Sequence, residues 1–298
     1  MSFTSKVKDE ICSTADMPTC CSHAMAYGLL LCGRSFNSTS MMLVTEHEGT
    51  ARLYSQAVSE ITGRTPAIKG GEETGKFSVS VTKKEDRLKV LNHFGVSEKM
   101  VGVRINRSNF SDECCYAAFM KGAFLACATM TEPRKSYQLD FLVPFLHLSD
   151  DMLKLMQELD ITAKMIRRKG SYVIYFKSSE TIEDLLVRLG AQSAAFEIMQ
   201  VKIEKDVRNK INRRVNFETA NIDRSVDAAM GQIEAIRKLR ESGRLDALSE
   251  DLQELATLRE ENPESSLKEL GNMLSVSLSR SGVYHRLNKI VSLAESEE

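Results

Sequence analysis

The stretch CYAAFMKGAFLACATM, residues 115–130, decides how the chain is to be read. Its composition is helical, yet Ala118, Gly122, Ala126 and Thr129 recur at helical spacing and leave one strip almost bare. Small residues aligned on one face let another backbone come close. A near-copy, CSHAMAYGLLLCGRSF, stands at 21–36. Placing Gly28 on Gly122 gives an offset of 122 − 28 = 94, and the same offset carries Cys20-Cys21 onto Cys114-Cys115. The chain is therefore read first as a repeat.

Each small-residue helix is followed by a β-like stretch, MMLVTEHEG at 41–49 and SYQLDFLVPFLHL at 136–148. A helical segment comes next in both halves, ARLYSQAVSEITG and SDDMLKLMQELD. Hairpins then turn at GGEETG and RKGS, and their outgoing strands, KFSVSV and YVIYF, are rich in β-branched and aromatic residues. A last helix closes each half, so the expected order is α-β-α-β-β-α, twice. From about residue 218 the β signals stop. Val226, Ala229, Met230, Ile233, Ile236 and Leu239 trace an apolar helical face. A second helix is expected near Ser249 with Leu252, Leu255, Ala256 and Leu258 inward. A third follows Pro263, where Ser266 and Glu269 have capping-box spacing and Leu267, Leu270 and Leu274 form the stripe. A fourth runs from about Ser279 on Val283, Leu287 and Ile290. The expected fold is an α+β (α/β) pseudo-symmetric repeat followed by a small all-α domain. Its halves span 1–110 and 111–204, a basic linker covers 205–220, and the helical domain covers 221–298.

Composition narrows the function. The chain has 298 residues, 42% of them hydrophobic and 27% charged, with a formal net charge of −1. No apolar run approaches the roughly 20 residues of a membrane span, and MSFTSKVKDEIC offers no secretory leader, so a cytoplasmic protein is expected. Seven cysteines, none in a CxxC pair and all in the first half, fit neither a disulfide framework nor a four-ligand zinc site, and buried reduced thiols are expected. No metal ligand, cofactor or catalytic residue is assigned. Charge is segregated: KIEKDVRNKINRR at 202–214 carries six Lys or Arg against two acids, LSRSGVYHRLNKIV at 278–291 carries no acid, and the chain ends in ESEE.

The last two helices are joined by only SVSL and suggest a helix-turn-helix over about 265–298. Ser279 caps the second of them. Arg280, Ser281, Tyr284 and Asn288 fall away from its apolar stripe, where Arg and Asn can read base edges. Lys268, His285, Arg286 and Lys289 are candidates for phosphate. Periodicity and charge leave a solvated helix, or one that docks on a protein, as open alternatives.

The stretches NRRVNFETANIDRSVDAA (212–229) and SLKELGNMLSVSLSRSGVYHRLNKI (266–290) resemble the WhiA family of bacterial proteins. So do KSYQLDFLV and AKMIRRKGSYVIYFKSSETIEDLLVRLGA, which extends the resemblance over nearly the whole chain; Phe217 departs from it, since relatives commonly have cysteine there. The resemblance implies a transcription regulator tied to sporulation in some bacteria and to cell division and chromosome segregation in others. It also implies a degenerate LAGLIDADG homing-endonuclease-like domain ahead of a sigma-factor-like helix-turn-helix, with double-stranded DNA as partner and a nucleoid-associated location. In LAGLIDADG nucleases two small-residue helices pack side by side and each delivers a metal-binding carboxylate at its lower end. On this sequence Gly28, Gly122 and Ala126 are the packing residues, and the two acidic positions fall on Gly33 and Cys127. Neither side chain is a carboxylate, so an inactive scaffold is expected. An active endonuclease, and a module that binds RNA polymerase or another regulator, are the rival readings.

Overall fold

The structure is a computed structural model that describes residues 2–13, 17–71, 75–98 and 102–296. Glu72–Thr74 of the first expected hairpin loop and the last two residues of the ESEE end lie outside the described residues. The chain forms two compact units, Met1–Lys205 and Asp206–Glu298.

The first unit repeats one plan. Its first half runs α1 (Phe3–Cys12), α2 (Thr19–Leu31), β1 (Ser35–Phe36), β2 (Met41–Thr45), α3 (Glu48–Thr62), β3 (Ile68–Gly71), β4 (Lys76–Ser80) and α4 (Lys84–His93). Its second runs α5 (Cys114–Cys127), β5 (Ala128–Met130), β6 (Leu139–Val143), α6 (Leu146–Glu158), β7 (Lys164–Arg168), β8 (Ser171–Phe176) and α7 (Ser179–Arg188). Each half holds a four-stranded antiparallel sheet, ordered β1-β2-β4-β3 and β5-β6-β8-β7. The matching order is the sequence repeat expressed in space. Alternation puts Leu43 opposite Val79, and Phe141 opposite Ile174, on the faces turned to the core. The β7–β8 hairpin turns through Lys169 at φ 49° and Gly170 at φ 85°, the two positive values that a tight two-residue turn requires.

The two small-residue helices are in backbone contact. A Cβ on Gly28 would stand 2.2 Å from the Phe119 carbonyl oxygen, and one on Gly122 would stand 2.0 Å from that of Met25. Neither position admits even a methyl group. Gly28 thus meets the turn containing Phe119 and Ala123 while Gly122 meets Met25 and Leu29, and with Cys21 beside Cys114 at the helix starts and Gly33 and Cys127 on one groove at their ends, α2 and α5 run parallel in matched register. Both are buried on nearly every side, which is why their apolar residues show no single face. The strip extrapolated to Thr129 ends sooner: α5 stops at Cys127, and Thr129 is an exposed residue of β5 paired with Asp140. Three elements go beyond the expected order, the edge strands β1 and β5 and the N-terminal helix. Phe3, Val7 and Ile11 bury one side of α1, and Thr4 Oγ1 both donates to the Met130 carbonyl and accepts from its N–H. This contact ties α1 to the other half.

Helix α8 (Gln192–Glu241) is continuous from the first unit into the second, so the stretch read as a linker is helical. Its residues 206–219 are exposed, and Val226 and Met230, expected to face inward, are exposed as well. The core of the second unit begins only near Ala229 and takes in Ile236 and Leu239, because the remaining helices reach no further back. Those helices are α9 (Glu250–Glu261), α10 (Leu267–Met273) and α11 (Arg280–Glu295). Leu252, Leu255, Leu270, Leu274, Val283, Leu287 and Ile290 complete a small core.

A buried arginine ties this unit together. Arg259 is 4% exposed; its Nε donates to Gln232 Oε1 on α8 at 3.0 Å, and its Nη1 donates to the carbonyls of Asn262 at 3.3 Å and Ser265 at 2.7 Å. The guanidinium thus bonds α9 both to α8 and to the turn that starts α10.

Two stability predictions follow from these contacts. Gly122→Leu forces an isobutyl group into the Met25 carbonyl and should destabilise the first unit by at least the ~1–3 kcal/mol typical of overpacking. Thermal unfolding followed by circular dichroism checks it, and a wild-type melting temperature would show that the helices do not meet there. Arg259→Met fills part of the volume but strands the Gln232 and carbonyl acceptors, each of which costs about 1–3 kcal/mol when buried unpaired. Its effect should appear as earlier loss of protection in α9 and α10 by hydrogen exchange, with the first unit unchanged.

Candidate nucleic-acid interface

Helices α10 and α11 and the short turn between them form a helix-turn-helix. The unit is defined at each joint by a local interaction. At the start of α10 the Ser266 side chain accepts from the Glu269 N–H, and the Glu269 carboxylate accepts from the Ser266 N–H at 2.7 Å, the capping box read from the sequence. That backbone N–H holds the Glu269 carboxyl below its usual range. In the turn, Glu254 of α9 accepts from the Ser275 N–H at 2.7 Å and from its hydroxyl at 2.9 Å. The Leu278 N–H then donates to the Gly271 carbonyl at 3.0 Å. Gly271 is required here, since a Cβ would lie 2.3 Å from the Leu278 carbonyl oxygen. Ser279 caps α11 by accepting from the Gly282 N–H at 3.2 Å. At the far end, Arg244 donates to the carbonyl of Leu293 at 2.8 Å and to that of Ser296 at 3.3 Å, placing a cation at the negative end of α11.

Val283, Leu287 and Ile290 are fully buried, which turns the opposite face of α11 to solvent. Arg280, Ser281, Tyr284, His285, Asn288 and Lys289 are exposed there, as is Lys268 on α10. Among the described residues, the side chains of Arg280, Ser281, Asn288 and Lys289 make no hydrogen bond or ion pair. Tyr284 and His285 pack edge to face at 5.8 Å between ring centroids. Arg286 differs from the rest. It is half-buried and its guanidinium lies 3.1 Å from Asp251 of α9, so it braces α11 internally. The Asp251 carboxyl sits below its usual range, chiefly through the Ser249 hydroxyl and then through Arg286.

Sequence reasoning missed Gly271, Glu254 and Arg259 as the residues that shape this unit. Gly271 left a signal, a glycine inside a short helix where it weakens local propensity. The other two are ordinary surface-type residues of α9, and only contacts distant in sequence reveal them. The exposed apolar pair Met273 and Val276, at and just after the end of α10, also escaped notice.

The first unit offers a second surface, a groove of about 1300 Å³ where the C-terminal ends of α2 and α5 meet the outer faces of both sheets. Gly33, Cys127 and Ala126 line it together with Lys8, Arg34 and Arg168. The Cys32 thiol is hydrogen-bonded to Cys127, which together with burial holds it well above the usual thiol range. Lys8 is almost fully buried, and burial lowers its pKa even though Cys127, Cys12 and Glu46 favour its charged form. Gly33 brings no side chain to the groove, and Cys127 donates to the Ala123 carbonyl at 3.3 Å. Among the described residues no helix is long and apolar enough to cross a membrane.

Comparison with known proteins agrees with this division. Residues 116–208 match the WhiA LAGLIDADG-like domain, and residues 211–294 match the WhiA C-terminal HTH domain. A probable cell division protein WhiA from Ruminiclostridium cellulolyticum is 36% identical over 306 residues, covering 99% of this chain and 97% of its own. One from Clostridium perfringens is 34% identical over 309 residues, covering 99% and 98%. The crystal structure of full-length DUF199/WhiA from Thermotoga maritima superposes with a TM-score of 0.60 at 22% identity, covering 100% of this chain and 99% of that one. That likeness speaks for the fold, and the sequence relatives for the kinship. This chain, a LAGLIDADG-like α+β repeat followed by a helix-turn-helix, belongs to the WhiA family.

Proposed function

We propose that the protein is a DNA-binding transcription regulator acting in cell division and chromosome segregation, and that α11 is its recognition helix. The observation that carries this reading is the solvent face of α11. Arg280 and Ser281 stand in its first turn, unengaged, directly after the Ser279 cap, where a helix entering the major groove presents base-reading side chains. Asn288 continues that face, and Lys289, His285 and Lys268 flank it as phosphate contacts. Arg286 is assigned a smaller part, since its charge is engaged by Asp251. One small helix-turn-helix contacts few base pairs, so sequence specificity is expected to draw on further contacts or a partner such as RNA polymerase.

The first unit is proposed to act as a scaffold without phosphodiesterase chemistry. Gly33 and Cys127 occupy the acidic positions, and the buried amine of Lys8 lies within electrostatic reach of Cys127. An amine supplied by the chain there gives a divalent metal no anionic ligand.

A gel-shift titration in rising salt tests the DNA reading: a specific complex lost steeply with salt supports it, and no complex at low salt favours the protein-docking alternative. Purified protein with Mg²⁺ or Mn²⁺ should leave supercoiled plasmid intact, and metal-dependent nicking abolished by Glu46→Gln or Asp140→Asn, the acids that line this groove, would reverse the scaffold assignment. Along α11 the labour should divide. Arg280→Ala should weaken the specific site by about 1–3 kcal/mol, as expected for a bidentate base contact, and random DNA much less. Lys289→Ala should weaken both alike and reduce the salt slope by about one unit. Circular dichroism must first match wild type. Equal weakening of specific and random DNA by Arg280→Ala would reduce that residue to a phosphate contact.

A further inference from the structure

The repeat that aligns the two packing glycines also aligns two pairs of adjacent cysteines, Cys20-Cys21 and Cys114-Cys115. Each pair lies in the first turn of one of the two central helices. Because α2 and α5 run parallel in matched register, their N-terminal ends meet, and the four thiols meet with them. The Cys21 and Cys114 sulfurs are 3.3 Å apart, and all four sulfurs lie within 4.8 Å of one another. This is a correction to the sequence reading, which took the absence of CxxC spacing to argue against a four-thiol site. CxxC brings two ligands together along one loop. Here pairing across the pseudo-symmetric helices does the same for residues 93 positions apart.

We propose that Cys20, Cys21, Cys114 and Cys115 form a mononuclear tetrathiolate site for zinc. A tetrahedral zinc with Zn–S bonds of about 2.3 Å holds its sulfurs about 3.8 Å apart. The observed set brackets that spacing, and small rotations about χ1 close the remainder. Four sulfurs this close enclose one ion and leave no room for the inorganic sulfide of an iron–sulfur cube. Cys21 and Cys115 are buried, Cys20 is half-buried and Cys114 is exposed, so the site has a closed floor and one open side for entry.

The surroundings suit the negative charge such a site carries. Four thiols binding one Zn²⁺ release four protons and leave a net charge of −2. The positive ends of α2 and α5 both point at it. Backbone N–H groups of Ser111 and Asp112 favour the thiolate of Cys115, and the Lys121 ammonium is electrostatically coupled to Cys21. Such contacts orient ligand atoms and offset their charge. The proposed ion stands at the opposite end of α2 and α5 from Gly33 and Cys127, so it has no part in the nuclease geometry. It would clamp the two halves where no glycine contact holds them. At the other end Cys32 and Cys127 interact as a pair, and among the described residues they belong to no comparable set.

The test uses the full chain purified under reducing conditions without chelator. Elemental analysis should find one zinc per chain. The metal-free protein titrated with Co²⁺ should give the intense visible bands and near-ultraviolet thiolate charge transfer of a tetrahedral sulfur-ligated ion, saturating at one equivalent. The double variant Cys20→Ser/Cys114→Ser should lose both, and Cys12→Ser should lose neither. Zinc removal should lower the melting temperature of wild type and leave that of the double variant unchanged. Should the double variant fail to fold, the wild-type cobalt spectrum decides alone. Absence of zinc together with a featureless cobalt titration overturns the proposal, as does stoichiometric iron, or a Cys21–Cys114 disulfide in protein isolated without reductant.

Discussion

The first unit depends on one contact, the backbone-to-backbone meeting of α2 and α5 at Gly28 and Gly122. With no Cβ allowed on either glycine, the helices approach as closely as helices can, and dispersion and burial act along their whole length. That approach does more than stabilise. It fixes the register of the pair, because Gly28 must face the Phe119–Ala123 turn while Gly122 faces Met25 and Leu29. Register in turn sets which residues meet at each end. At the N-terminal end it gathers four thiols, and at the C-terminal end it sets Gly33 and Cys127 at the floor of a groove. The sheets follow the helices, each stacking its core face on the same central pair. A change in helix register would therefore rearrange both ends at once.

The second unit rests on a different principle. Its apolar core is small and its turns are short, so polar contacts carry much of the definition. Arg259 satisfies carbonyls that would otherwise be stranded at the start of α10, and Glu254 holds the turn at Ser275. Gly271 lets that turn close. These residues keep α10 and α11 at a set angle without contributing to the exposed face. The division matters for function, because the face of α11 is then free to carry polar groups that add nothing to stability. Arg286 shows the boundary between the two roles. It belongs to the solvent side by spacing, yet Asp251 draws it into the internal bracing.

Much of this was legible in the sequence, for identifiable reasons. The offset of 94 residues announced the repeat, small-residue spacing announced close packing, and the Ser266–Glu269 spacing announced a helix start. All three are local or periodic signals. The solvent face of α11 was legible for the same reason, since burial of Val283, Leu287 and Ile290 follows directly from period. What stayed hidden depends on contacts between distant segments. The edge strands β1 and β5 are too short to show alternation. Helix α1 did leave a signal, Phe3, Val7 and Ile11 at four-residue spacing, but its partner Met130 lies 126 positions away. Val226 and Met230 continue an apolar face past the point where anything packs on it. Periodicity reports which face could be buried. It does not report where the partner ends.

The cysteines show the same limit from the other side. Their spacing along the chain argued for unrelated thiols, while their spacing along the repeat brings four of them together. Two adjacent cysteines on one helix diverge by about 100°, since an α-helix turns once every 3.6 residues, and a lone pair makes a poor chelate. Doubling the pair by a pseudo-two-fold, and pressing the helix ends together, turns that divergence into the splay a tetrahedron needs. The same helix pair thus has ends of different chemistry. The C-terminal end is lined by a glycine, a thiol and a buried lysine. The other end offers soft ligands at the positive poles of both helices. A scaffold of the kind proposed needs neither hard oxygen ligands nor access to a phosphate, but it does need its two halves to stay together. A tetrathiolate clamp at the far end serves that second demand alone, and its geometry derives from the glycine contact that the whole unit is built on.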